Sequence, residues 1–290
     1  MADAVSSSDP GLALHDGDHV VRLKWHRMKR RIGDVPFTAS ILAEAFALGA
    51  SSEIDLRVTG DGGFAVLHDA TLDRETTGRG AVAAMPDQAL RDLYMRTPDG
   101  EPTGEPLLLL DDLVALAARD AAPGTLVQLD LKEEAAAITS RVVERFAATL
   151  APVADRFILS GGDLVAVRRL AGAVPGLAAG YDPCEPAVIA PLQSADDFAR
   201  FTAAAIAASG AMAMIYLAYP LVLKADANGF DMIGAFHDAG KRVDAWTLNA
   251  THPDASASLA RLVALRADQI TTDEPLRLAA LYANSDTSQG

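Results

Sequence analysis

Cysteine is nearly absent: one residue, Cys184, stands in a chain of 290. An intrachain disulfide is therefore excluded, and the fold must be held by a core rather than by covalent staples. Positive charge is also scarce. Lys and Arg number 25 against 39 Asp and Glu, for a net charge of −14, which makes DNA, RNA or an anionic lipid surface a poor default partner. No run opening the chain has the basic start and apolar stretch of a secretory leader. Residues 1–17 are polar and carry Asp3, Asp9 and Asp16, so a cytoplasmic location is expected. The most apolar stretch, Ala203 to Leu223, is interrupted by Ser209-Gly210 and Pro220. It reads as a helix end followed by a buried strand rather than a stable membrane insertion. Half of the residues are apolar and 22% are charged, an ordinary balance for a globular chain.

Short β-rich runs alternate with longer helical ones. Strands are predicted at Val20–His26, Ser52–Val58, Leu126–Lys132, Phe157–Ser160, Leu177–Tyr181, Ala211–Ala218, Arg242–Leu248 and Gln269–Thr272. Helices are predicted at Phe37–Leu48, Asp111–Arg119, Glu133–Leu150, Asp163–Ala171, Ser194–Ala208, Phe230–Asp238, Pro253–Leu265 and Glu274–Tyr282. Many strands are apolar nearly throughout, as parallel strands covered on both faces should be. Eight such units predict an α/β chain of the (β/α)8 TIM-barrel class, one catalytic domain over 1–290. An open doubly wound sheet has the same alternation, but no glycine-rich phosphate loop follows the first strand. The segment 70–106, rich in Gly, Thr, Asp and Pro, breaks the rhythm. It is expected to be an insertion after the second strand, lying over the C-terminal face where barrel active sites sit. The ends, 1–19 and 285–290, are expected to be loose.

Glu53 and Asp55 are two apart on a predicted strand, so their side chains share a face. At about 5 Å two carboxylates repel by about 3 kcal/mol at an effective dielectric near 20. A bound cation removes that cost, and a solvated pair on an edge strand avoids it. A closed barrel has no open edge, which favours the cation. Asp130 and Lys132 repeat the spacing at the end of the third strand, either as an ion pair on the rim or as a third acid plus a cation. An all-oxygen set of Glu53, Asp55 and Asp130 favours a hard divalent cation, Mg²⁺ or Ca²⁺, over zinc. No His-x-His or His-Glu-x-x-His spacing argues otherwise. His26 with Arg27, and His68 with Asp69, stand at strand ends flanking the acids. Imidazole suits proton transfer near neutral pH. Three carboxylates, a divalent cation, Arg27 and Lys132 leave one net positive charge, which matches the single negative charge of a phosphodiester.

At these residues the chain resembles the glycerophosphodiester phosphodiesterase family. The resemblance rests on His26-Arg27, Glu53-Ile54-Asp55, Thr59-Gly60-Asp61-Gly62 and His68-Asp69, on the stretch Leu72 to Gly80, on Leu129-Asp130-Leu131-Lys132, and on Val243 to Asn249 and Thr272-Asp273-Glu274-Pro275. It is dense from Trp25 to about Ser160, thin from Ala187 to Asp231, and clear again from Val243 to Pro275. It implies a (β/α)8 barrel and metal-dependent cleavage of glycerol-linked phosphodiesters to sn-glycerol 3-phosphate and an alcohol. It further implies acid and base roles for His26 and His68, cation binding by Glu53, Asp55 and Asp130, phosphate contacts from Arg27 and Lys132, and Trp246 lining the pocket for the organic part of a small-molecule substrate. Four positions depart from the family pattern. Met28 stands where glycine is usual, the family's Pro-Glu-Asn-Thr entry to the first helix is replaced near Val35-Pro36-Phe37-Thr38 with no acid, Glu75 replaces the first threonine of a pair, and Asp130 is one methylene shorter than the usual Glu. The first three bear on substrate identity and the last on metal geometry. Two other readings remain: a lysophospholipase D or sphingomyelinase D-like enzyme, for which Met28 and Leu107–Leu110 hint at an apolar way in, and a non-catalytic barrel that binds a phosphorylated ligand.

Overall fold

The computed structural model describes residues 11–122 and 124–286. The chain has the (β/α)8 barrel fold, and the eight parallel strands lie close to where their hydrophobic runs predict them. In chain order the strands are β1 (Ala13–Asp16), β2 (His19–Trp25), β3 (Ser51–Val58), β4 (Phe64–Val66), β5 (Tyr94–Arg96), β6 (Pro102–Pro106), β7 (Val127–Leu131), β8 (Phe157–Gly161), β9 (Ala178–Tyr181), β10 (Met214–Ala218), β11 (Arg242–Trp246) and β12 (Gln269–Thr272). The helices are α1 (Ala39–Leu48), α2 (Asp87–Arg91), α3 (Leu110–Asp120), α4 (Ser140–Leu150), α5 (Leu164–Ala171), α6 (Pro186–Ile189), α7 (Ala195–Ser209), α8 (Tyr219–Ala227), α9 (Met232–Asp238), α10 (Ala255–Ala264) and α11 (Pro275–Asp286). None of the described helices is long and apolar enough to cross a membrane.

Two compact units divide the chain: 11–25 with 180–286, and 26–179. In the first, β2 pairs in parallel with β12, and β12, β11, β10 and β9 follow in turn. Leu23, Ile215, Leu217, Val243, Ala245 and Ile270 from these strands are buried with Phe198, Phe236, Leu259 and Leu262 from the helices. A polar centre sits among them: Lys24 Nζ lies 2.9 Å from Asp244 Oδ2 and 4.5 Å over the Tyr216 ring. Such a charge pair is tolerated inside because each ion has a partner. Cys184 is buried here, and burial holds its thiol well above the ordinary range. Residues 13–16, within the tail expected to be loose, instead form β1 and pair antiparallel with β2. Residues 285–286, also expected to be loose, close α11, while 1–10 and 287–290 lie outside the described residues.

In the second unit β3 pairs in parallel with β7 and β7 with β8, while β4 folds back antiparallel on β3. Helix α1 shows how sequence sets its limits. Thr38 accepts a hydrogen bond from Ile41 N at the start, and Gly49 ends it at φ 65°, a left-handed position that suits a residue without a Cβ. Helix α4 buries Val142, Phe146 and Leu150, spaced four apart on one face, and Phe146 meets Phe64 edge-on with centroids 5.3 Å apart. The helix predicted from Glu133 begins only at Ser140. Asp163 Oδ2 captures Ala135 N at 2.7 Å, and Thr139 caps the true first turn. The segment 70–106 holds α2 and the hairpin of β5 and β6. Helix α8, in the first unit, is not among the predicted helices; Pro220 occupies its first turn, where no N–H is needed.

Candidate active site

Strand register builds the acidic centre. Glu53 and Asp55 project from the same face of β3, and Asp55 is paired rung to rung with Asp130 of β7. The three carboxylates offer ligand atoms that all lie within 4.8 Å of one another. Asp55 is 1% exposed and Glu53 4%. Burial, and then the neighbouring Glu53, pushes the Asp55 carboxyl up to about 7. Next to it, Ser160 Oγ donates to Asp130 Oδ1 at 3.0 Å and accepts from Gln128 Nε2 at 2.8 Å, which fixes the carboxylate's orientation.

Two cations face these acids. Lys132 Nζ bridges Asp55 Oδ1, at 2.9 Å, and Asp130 Oδ2. Burial works against its charge, but Asp130, Asp55 and Glu53 outweigh burial and hold the ammonium well above its ordinary range. Both readings of Asp130 and Lys132 therefore coexist: they form an ion pair, and Asp130 still belongs to the acidic cluster. Arg27 donates its backbone N–H to Glu53 Oε2 at 2.8 Å, and its Nε lies 3.3 Å from Asp55 Oδ2. That last pair is misaligned for a hydrogen bond, so both buried atoms are left without a hydrogen-bond partner.

An orphaned, buried carboxylate oxygen in an all-oxygen set of three acids fits a hard divalent cation. Glu53, Asp55 and Asp130 are the residues that would hold it.

The two histidines are set differently. His26 Nε2 is 4.0 Å from Glu53 Oε2, so this ring borders the acidic cluster. His68 belongs to a second group with Asp69 and Glu75. Its Nδ1 is 2.9 Å from Asp69 Oδ1, and Arg74, hydrogen-bonded to the same carboxylate, holds Asp69 down to about 2. An ionised carboxylate only accepts, so Nδ1 of His68 carries the proton and Nε2 of the neutral ring is left as an acceptor. Glu75 links the two groups. Its Oε2 accepts from Asp69 N at 3.0 Å, and its Oε1 lies 3.9 Å from Arg27 Nη1. Arg57 steadies both ends of the site, donating to the carbonyls of His68 at 2.8 Å and Lys132 at 2.5 Å.

Of the expected site residues, Glu53, Asp55, Asp130, Lys132, Arg27 and His26 thus form one contact network, and His68 joins it through Glu75. Trp246 is the last residue of β11 in the other unit, half-buried, with an indole nitrogen that lacks a hydrogen-bond partner. Sequence reasoning missed Ser160, Arg57 and Arg74. It noted Glu75 only as a departure from a threonine, and that departure was the available signal. The hints of an apolar way in for a lipid tail are corrected. Met28 is 1% exposed and Leu107 to Leu110 are 2–6% exposed; Leu107 and Leu108 border a hollow with Arg91 and Asp112 whose lining includes none of the acidic-centre residues, so they form no way in to that centre.

The turn carrying His26 and Arg27 is under backbone strain. Arg27 and Met28 have φ of 50° and 59°, and Phe37, whose N–H donates to Arg27 O at 3.3 Å, has φ of 60°. Left-handed conformations at side-chain-bearing residues are costly and gather at functional sites.

The family model for the glycerophosphoryl diester phosphodiesterase family matches residues 37–277. His26 and Arg27 lie just before that span. A solved structure from Silicibacter pomeroyi is similar over 95% of this chain and 97% of its own, with TM-score 0.70 and 22% identity. A glycerophosphoryl diester phosphodiesterase from Parabacteroides distasonis matches with TM-score 0.65 and 17% identity, over 94% and 90% of the two chains. A phosphodiesterase from Oleispira antarctica, solved in complex with the product sn-glycerol-3-phosphate, matches with TM-score 0.64 and 17% identity, over 90% and 96%. Likeness at these identities carries the fold. The Mycobacterium tuberculosis protein named "Probable glycerophosphodiester phosphodiesterase 1" is 41% identical over 70 residues, 22% of this chain. The match spans 26%, about a quarter, of that curated relative's length.

Proposed function

Because the chain belongs to the glycerophosphoryl diester phosphodiesterase family, we propose that it hydrolyses glycerol-linked phosphodiesters to sn-glycerol 3-phosphate and an alcohol. The observation that carries this reading is the convergence of Glu53, Asp55 and Asp130 with Arg27, Lys132 and His26 within one unit. When bound at the three acids, Mg²⁺ or Ca²⁺ supplies Lewis-acid stabilisation of the phosphoryl oxygens. Arg27 and Lys132 place two positive charges at the same centre, where they orient the phosphate and offset the charge that grows on it. His68, with Nδ1–H committed to Asp69, presents Nε2 to take or return a proton, and His26 is the second proton carrier. An oxygen nucleophile bonds to phosphorus as the bond to the leaving alkoxide breaks: water gives sn-glycerol 3-phosphate directly, whereas the glycerol 2-hydroxyl gives a cyclic phosphate that a water then opens to the same monoester. One imidazole removes the nucleophile's proton and the other protonates the alkoxide. Arg57 and Glu75 hold these groups in register.

Phosphorus NMR of the protein with a glycerophosphodiester, with Mg²⁺ or Ca²⁺ and then with excess chelator, tests the reading. A monoester signal that grows with the cation and stops with the chelator is expected. No monoester with either cation overturns the reading.

A further inference from the structure

Cations line a cleft beside the acidic centre, within the unit 26–179. Arg27, Lys29, Arg74 and Arg96 border a cavity of about 200 Å³ together with Asp34 and Glu75. In a chain of net charge −14, four cations around one cavity run against the bulk charge. Asp34 is engaged by main-chain donors, whereas Glu75 Oε1 accepts from Arg74 Nη2 at 3.2 Å and lies 3.9 Å from Arg27 Nη1, and Arg74 is also held by Asp69, so part of the cleft's positive charge is already met. Asp34 Oδ2 accepts from Arg30 N at 3.0 Å and Arg31 N at 2.8 Å, and Glu75 Oε2 accepts from Asp69 N. Arg96 donates to the carbonyls of Thr76 and Gly100, both at 2.6 Å, and among the described residues it meets no carboxylate. Its charge is therefore not neutralised by a side chain.

Glu75 ties this cleft to the reacting centre. Its side chain faces Arg27, and its main-chain carbonyl accepts from Arg96 N at 2.8 Å. Arg27 in turn lies beside Asp55. A substrate whose phosphate sits at Arg27 can thus extend toward Arg96 and Lys29. Among the described residues no aromatic side chain lines the cleft, so they offer none of the ring faces that recognise a quaternary ammonium.

Resting on the hydrolase reading above, we propose that this cleft is a subsite for a second anionic group, so that the preferred glycerophosphodiester carries a further phosphate or carboxylate on its alcohol part. Neutral alcohols gain nothing there, and cationic ones such as choline meet like charge.

The test compares kcat/KM for glycerophosphodiesters whose alcohol is inositol phosphate, glycerol or choline, at low and at high salt, with calorimetric binding of the same three. The anionic substrate is expected to exceed the neutral one by about tenfold at low salt, the scale of one charge contact near a surface. The advantage should shrink as salt rises. Arg96→Gln and Lys29→Gln should each cut the anionic-to-neutral ratio by about threefold or more. Equal kcat/KM for anionic and neutral substrates, or a ratio that neither variant moves, overturns the subsite and leaves the hydrolase reading standing. Tighter, Arg96-dependent binding of the anionic diester with no turnover of any diester overturns the hydrolase reading and keeps the subsite as a binding site. Neither turnover nor preferential binding overturns both.

Discussion

Raising the pH should loosen the cation-free protein through a single carboxyl group. Asp55 is pushed up to about 7 in the folded chain, against 3.8 for an unperturbed aspartate. The folded state thus holds this proton more tightly than the unfolded chain does. The stabilisation is complete below about pH 4 and is lost as pH rises through about 7. A difference of about three pH units, at about 1.36 kcal/mol each, sets an upper bound of about 4 kcal/mol. Carboxylates held low, Asp69 among them, act in the opposite sense at acid pH, so the measurement is a difference. Wild type and Asp55→Asn are unfolded by urea at intervals from about pH 5 to about pH 8 in chelator. Asparagine does not ionise, so the variant should gain on wild type by about 2–3 kcal/mol across that range. At the alkaline end, Mg²⁺ or Ca²⁺ should restore wild type, because the cation takes the place of the proton, and should do little for the variant. A difference that stays flat with pH refutes the reasoning.

The remaining predictions concern the turn and the histidines. His26→Ala and His68→Ala should each lower kcat by about two to four orders of magnitude in a coupled assay for released alcohol; near-normal turnover in either removes the two-histidine scheme. Met28→Gly should relieve about 1–2 kcal/mol of left-handed strain but lose about 2–3 kcal/mol of side-chain burial, with a cavity left behind. The net result is destabilisation by about 1–2 kcal/mol, read as a lower Tm. A raised Tm would show that the strain outweighs the packing.

Much of the site was legible because parallel strands present functional side chains at their ends. Glu53-x-Asp55 and Asp130-x-Lys132 carry a period of two that is set within the strands and does not depend on the loops. The cluster of the acids follows from register alone. What sequence did not reveal depends on distant captures. The stretch from Glu133 to Thr139 has helical composition, yet Asp163 draws Ala135 N away and the helix starts later. Nothing local to residues 133–139 signals a partner near residue 163. The tie from Glu75 to Asp69 and Arg27 is likewise invisible in a one-dimensional reading, since it needs the insertion to fold back on the strand ends. The β5–β6 hairpin escaped because its strands are short and β6, with two prolines and a glycine, lacks the usual alternation.

The rung that sets Asp55 beside Asp130 also acts as a threading test. If β7 slid by one position against β3, its side chains would swap faces, and a leucine, Leu129 or Leu131, would stand beside Asp55 in place of the acid. A misthreaded molecule would then offer an incoming cation one acid too few. If the proposed cation binds these three acids, refolding in its presence would favour correctly threaded molecules, and one ion would then both serve the chemistry and select the conformer able to perform it.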